Sequence, residues 1–204
     1  VNLNSNFYTT ASTDINGAFT IPIIIPKETP LGPAEIQVVF AGEEFYLSSN
    51  ANGTWTLFSP ITITITSDES VAINENLSIS GMIVDNNLDA VPFHSVLVEI
   101  DGMVIAQSVV TDENGSFNLT WLVQGLGIGE HILTAHANEQ GYYREGSTNT
   151  TFHVAHRTAF SASFSSASAN IRGQNWVLEG RLFDNDSISR DGIKNTLIQV
   201  SLDG

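Results

Sequence analysis

Three sets of side chains could do chemistry in this chain. Twenty-two carboxylates stand against seven Lys and Arg, a formal net charge of −15, so cation binding is the first chemistry to weigh. Asp85 and Asp89 share one loop, "DNNLDAVP", and Asp184, Asp186 and Asp191 share another, "DNDSISRDG". Two or three carboxylates on a loop can hold calcium when carbonyls and water fill the other positions. The same acids are ordinary turn formers that bond their own backbone two residues on. A second calcium pattern, Asp-x-Asn-Gly, opens "DING" (14–17) and "DENG" (112–115). The further oxygen ligands and closing glutamate of a calcium loop are missing there. Hairpin turns with Gly at positive φ are expected instead. No metal or cofactor is assigned, and calcium stays open at Asp85, Asp89, Asp184, Asp186 and Asp191.

The second set is five histidines, all in the middle of the chain: His94, His131, His136, His153 and His156. Strand alternation turns His136 and His153 outward and His131 toward the core side, which makes a shared metal site unexpected. The third set is six Asn-x-Ser/Thr acceptors for N-glycosylation: Asn52, Asn76, Asn114, Asn118, Asn149 and Asn185. Asn118 alternates with apolar residues and should point outward. Asn52, Asn114, Asn149 and Asn185 are expected in turns or loops. Catalysis finds no foothold: no Gly-x-Ser-x-Gly elbow, His-Glu-x-x-His, phosphate-cradling glycine loop or cysteine occurs. The expectation is a non-enzyme.

Charge narrows the partners. Before Arg144 the only base is Lys27, and a negative field of that extent repels nucleic acid and anionic lipid. Cysteine is absent, which excludes disulfides and zinc–thiolate sites. No apolar run approaches the length of a membrane span; "TIPIIIP" is short and bracketed by prolines.

The elements that would position these residues are written more than once. "TDINGAF" (13–19) answers "TDENGSF" (111–117), and "FTIPIII" answers "FNLTWLV", both alternating like half-buried strands. "LGPAEIQVVF" (31–40) answers "IGEHILTAHA" (128–137), "FYLSS" answers "YYREG", and "TWTLF" (54–58) answers "TFHVA" (151–155). Further on, "LSISGMIVDN" (77–86) answers "WVLEGRLFDN" (176–185), "ITITIT" (61–66) answers "FSASF" (160–164), and "VLVEIDG" answers "LIQVSLDG" (197–204). The order is half a repeat, a whole repeat, then half a repeat: residues 1–58, 59–157 and 158–204.

Within 59–157 the pattern predicts strands at 61–66, 76–84, 95–101, 103–110, 116–124, 130–138 and 150–155. Its core should hold Ile61, Ile63, Ile65, Leu77, Ile79, Ile83, Val96, Val98, Ile100, Phe117, Leu119, Trp121, Leu133, Ala135, Phe152 and Val154. Short strands and frequent Gly, Asn, Asp and Pro turns indicate an all-β chain of immunoglobulin-like sandwiches, one complete and two halved. The final "DG" matches Asp101-Gly102, and Val1 is expected just after that turn. The two halves should then complete each other between neighbouring copies, head to tail, with strand 195–202 pairing a neighbour's first strand.

"LSISGMIVDN…VEIDG…TDENGSFNLTW…LGIGEHILTAHA…GYYREGSTNTTFHV" resembles the Ig-like (Big-type) repeats strung along bacterial and archaeal surface proteins. That resemblance implies a structural segment of a long extracellular or cell-surface protein or filament, with possible surface glycans. The alternatives are a calcium-dependent adhesive module and a spacer beside a distant enzyme domain.

Overall fold

The computed structural model describes residues 2–3, 6–164 and 177–201, and among them every regular element is a β-strand. In chain order these are β1 (Asn2–Leu3), β2 (Asn6–Phe7), β3 (Gly32–Phe40), β4 (Ser49–Leu57), β5 (Ile61–Ser67), β6 (Ser70–Ala72) and β7 (Asn76–Asp85). β8 (Ser95–Ile100), β9 (Met103–Val110), β10 (Ser116–Leu122), β11 (Gly129–Ala137), β12 (Gly146–Ala155), β13 (Thr158–Phe164) and β14 (Leu178–Asp184) follow.

β5 to β12 make a sandwich of two sheets, ordered β10-β7-β5 and β6-β12-β11-β8-β9. Alternation decides the faces: in β5 the isoleucines are buried and the threonines exposed, and β8 buries Val96, Val98 and Ile100. The core between the sheets joins Ile63, Leu77, Ile83, Val98, Phe117, Leu133 and Phe152 with their neighbours. Each large side chain withdrawn this fully from water contributes roughly 1.5–3 kcal/mol. Leu119 and Trp121, expected inside, are only half-buried and pack on the edge of that core. Val71, Val91, Val123 and Ala137 belong to it as well. β6 was not foreseen; it is three residues long and runs parallel to β12, too short for an alternation to register.

The flanking segments reproduce the central pairings. Gly32 faces Leu57 as Gly129 faces Val154, and the registers of β3 with β4 and β11 with β12 run on identically. β13 pairs with β14 as β5 pairs with β7, with Thr158 opposite Asp184 where Ile61 faces Asp85. Hydrogen-bond register thus places Thr158, not Phe160, in the position of Ile61.

Three other expectations are corrected. Leu3 pairs with Ile36 and Asn6 as Ile100 pairs with Leu133 and Met103. β1 therefore takes the place of the end of β8, before the turn, rather than the strand after it. Residues 18–24 carry the alternation of β10 but form no strand; Pro22 removes one donor, and among the described residues no strand pairs with them to supply a ladder. Residues 195–201 likewise form no strand, with Leu197 96% exposed, and residue 202 lies outside the described residues.

Candidate functional site at the linkers

Phe58-Ser59-Pro60 joins β4 to β5, and His156-Arg157 joins β12 to β13. At the first linker Ser59 is buried. Its N–H donates to the Tyr142 carbonyl (2.9 Å), and its carbonyl accepts from the Arg144 N–H (2.8 Å). The Ser59 hydroxyl donates to Asn86 Oδ1 at 2.7 Å. Phe58 meets Tyr142 edge-on at 6.3 Å and lies 3.9 Å under the Arg144 guanidinium. Asn87 Nδ2 donates to the Lys27 carbonyl at 2.9 Å.

The second linker is held by the corresponding loop. The Asn185 N–H donates to the Arg157 carbonyl at 2.8 Å. Asp186 accepts from the Arg157 backbone N–H (2.6 Å), Nε (3.0 Å) and Nη2 (2.9 Å). Arg157 Nη1 also reaches Glu75 Oε1 at 3.2 Å, and His156 Nδ1 contacts Asp184 Oδ2. The Arg157 backbone N–H, then its guanidinium, pulls the Asp186 carboxyl below its ordinary pKa. Burial opposes ionisation of Asp184. Its contact with His156 and the N–H groups of Asp186 and Ser187 outweigh that, so its pKa also falls.

The five calcium candidates are therefore turn builders and linker clamps. Asp85 Oδ1 accepts from the N–H groups of Asn87 (2.8 Å) and Asp89 (3.0 Å). Asp184 Oδ1 accepts from Asp186 (2.9 Å) and Ser187 (3.1 Å). Asp89 and Asp191 offer their backbone carbonyls to Asp85 and Asp184, each at 2.9 Å. Among the described residues no three His, Asp or Glu side chains gather where they could hold a metal ion.

The histidines disperse. His131 turns to the core side as its alternation requires, and His136 and His153 reach outward to Glu99 (3.4 Å) and Glu130 (3.8 Å). His94, whose facing the pattern left unassigned, is buried with its Nε2 2.9 Å from the Asn138 carbonyl. All six glycosylation asparagines are exposed. Asn114 lies in its turn, Asn185 in its loop, Asn118 on the outer face of β10 and Asn76 at the start of β7. Asn52 and Asn149 correct the expectation of loops: they stand on β4 and β12 at matching positions, opposite Gln37 and Thr134. The strands begin earlier than their apolar alternation, which starts only where side chains turn inward.

What sequence reading missed is the clamp. Asp-Asn-Asn and Asp-Asn-Asp signalled turns, but that each turn reaches back to a linker far off in sequence has no local signature. Chemically the arrangement restrains the chain: two backbone bonds and a cation–π contact at one linker, and at the other a charge-assisted pair in which Arg157 Nε and Nη2 share Asp186 Oδ1.

No family model and no curated protein matches the chain. Among solved structures it is similar to the CARDB domain of a Pyrococcus furiosus protein. The identity is 17% and the TM-score 0.38, over 48% of this chain and 97% of that domain.

Proposed function

We propose that this chain is a non-catalytic structural segment of an extracellular or cell-surface protein built from tandem Ig-like domains. Residues 59–157 form a complete domain, 1–58 the later half of another, and 158–204 the earlier half of a third. The observation that carries this reading is the repetition of pairing registers. β3 with β4 copies β11 with β12, and β13 with β14 copies β5 with β7. The clamped linkers support a spacing role, since hydrogen bonds on both sides of each joint oppose bending. A strongly acidic, cysteine-free surface with six exposed glycan acceptors supports placement outside the cell.

The test is to express residues 59–157 alone. They should give a monomer with a single cooperative thermal transition and the near-ultraviolet signature of packed aromatics. A fragment that stays unfolded, or folds only when residues from 1–58 or 158–204 are added back, defeats the reading.

A further inference from the structure

The sheet β10-β7-β5 turns one face to the core and the other to solvent. The outward side chains of β5 are Thr62, Thr64 and Thr66, and Ser78, Ser80 and Thr120 continue the hydroxyls across β7 and β10. Met82 and Leu122 stand among them, 41% and 43% exposed. The three strands hold a single charged residue, Asp85, and it is buried. Asp68, just past β5, stays at the rim with its Oδ2 on the Ser78 N–H at 3.0 Å. On a chain of net charge −15, a whole sheet face without charge is an exception.

The fold does not impose this neutrality. Glu179 faces Ser163 as Ser80 faces Thr66, and Arg181 faces Ser161 as Met82 faces Thr64. The repeat therefore carries charges where the central sandwich has a hydroxyl and a thioether. The other sheet of the same sandwich also turns charge outward, with Glu99 beside His136 and Glu130 beside His153. The neutral face is braced as well. Thr66 Oγ1 and Ser80 Oγ lie 2.9 Å apart, and the Thr64 hydroxyl donates to the Met82 carbonyl at 3.4 Å. Behind it the Phe117 ring packs on Gly81, where a Cβ would stand 2.3 Å from Phe117 Cζ and 2.4 Å from the Thr64 carbonyl oxygen. β5, β7 and β10 are thus pinned together before any partner arrives.

We propose that this face is a lateral contact between two copies of the chain, sandwich against sandwich. Charge selects the occupant. A basic partner would bind where the carboxylates are, and a polyanion is repelled. A second copy, itself at −15, can come close only where neither surface presents a carboxylate. Hydroxyls both donate and accept, so two such faces pair without matched charges, while Met82 and Leu122 supply apolar contact. A sugar would want a ring to stack on, and no outward side chain of the three strands is aromatic. Seven residues by three strands make a patch of roughly 24 Å by about 14 Å, well under the ~800 Å² per partner of a standard interface. The contact is therefore weak, with a Kd of about 0.1–1 mM. Asn76 and Asn118 lie on this face, so a glycan on either would hold two copies apart. The contact goes beyond a spacing role along the chain and needs only the sandwich of residues 59–157.

Sedimentation of the full chain, made without glycans, is the test. Apparent mass should rise with concentration. Raising sodium chloride from about 20 mM to about 500 mM should tighten association by about fivefold or more, because screening relieves repulsion between the other surfaces. Thr64→Glu/Ser80→Glu should weaken it by about tenfold or more. Gln107→Glu, exposed on β9 of the other sheet, should leave it unchanged. Ser80→Glu alone, which copies Glu179 of the repeat, gives the answer if the double variant does not melt cooperatively. A chain secreted with a glycan on Asn118 should stay monomeric. An apparent mass that stays constant up to ~1 mM overturns the inference, as does association that weakens with salt. Association that survives Ser80→Glu or the Asn118 glycan overturns it too. A monomeric chain whose Thr64 and Ser80 amide signals shift with a soluble neutral glucan gives the face to sugar and equally ends the proposal. If association fails while residues 59–157 fold alone, only the lateral contact falls and the tandem reading stands.

Discussion

His131 holds Asp101 by Nδ1 at 2.6 Å while its Nε2 lies 2.8 Å from the Gly127 carbonyl. Both partners are acceptors, so both ring nitrogens must donate, and only the imidazolium can do that. The ring ties the β8–β9 turn to the loop before β11 and packs 5.7 Å from Phe152 at the floor of the core. Asp101, with the Gly127 carbonyl, raises the His131 pKa against the burial that would lower it. His131, with the Ile132 N–H, lowers that of Asp101.

The pH dependence follows from those directions. The contribution of His131 is complete below its unfolded pKa near 6.5 and is lost as pH rises through the raised folded value. The contribution of Asp101 is complete above about 3.9 and is lost as pH falls toward its lowered value. Thermal melts should therefore peak between about pH 4 and 6.5 for this pair. His131→Gln should remove the loss on the alkaline side, and an unchanged alkaline slope in that variant contradicts the assignment.

Filling the seat of Phe117 should be costly. Gly81→Val forces a side chain against a ring and a carbonyl that cannot both retreat, an overpacking cost of about 1–3 kcal/mol or more. Chemical denaturation of the full chain reads this directly. A loss below about 0.5 kcal/mol would mean that β7 and β10 lie farther apart than described.

Calcium should act as simple salt does. Asp85 Oδ1 and Asp184 Oδ1 are already spent on backbone N–H groups, Asp184 Oδ2 meets His156, and Asp186 is spent on Arg157. Melting temperature should rise equally with calcium chloride and with sodium chloride at matched ionic strength. A rise specific to calcium, abolished by Asp186→Asn, would instead support an adhesive module.

Glycans, in a host that attaches them, should be carried without loss of fold. Asn118 stands outward between inward-facing Phe117 and Leu119. Mass spectrometry after secretion should find hexosamine there, with an unchanged melting midpoint after enzymatic removal. A midpoint that collapses on removal would show that this face is not the open one.

Most of the sandwich was legible because its information is local. Ile61, Ile63 and Ile65 alternate with threonines, so their face follows from the pleat alone. The repeat was legible for the same reason, since two copies of "TDxNGxF" fix a frame along the chain. What escaped depends on partners distant in sequence. Residues 19–25 alternate as well as β10 does, yet among the described residues no strand pairs with them, so no ladder forms. The register of β1 rests on two residue pairs, fewer than a pattern needs. The linker clamps join Ser59 to Asn86 and Arg157 to Asp186, and no spacing rule connects such positions.

The central claim is one complete sandwich over residues 59–157, and residue-resolved hydrogen exchange on the dilute full chain tests it most directly. The account predicts that the paired amides of β5, β7, β8, β10, β11 and β12 exchange together at the slowest rate, as one cooperative unit. Residues 18–24 and 193–201 should exchange orders of magnitude faster, although their sequences match protected strands. Equal protection of residues 18–24 and β10 at that dilution, or loss of protection strand by strand across the central unit, would contradict it.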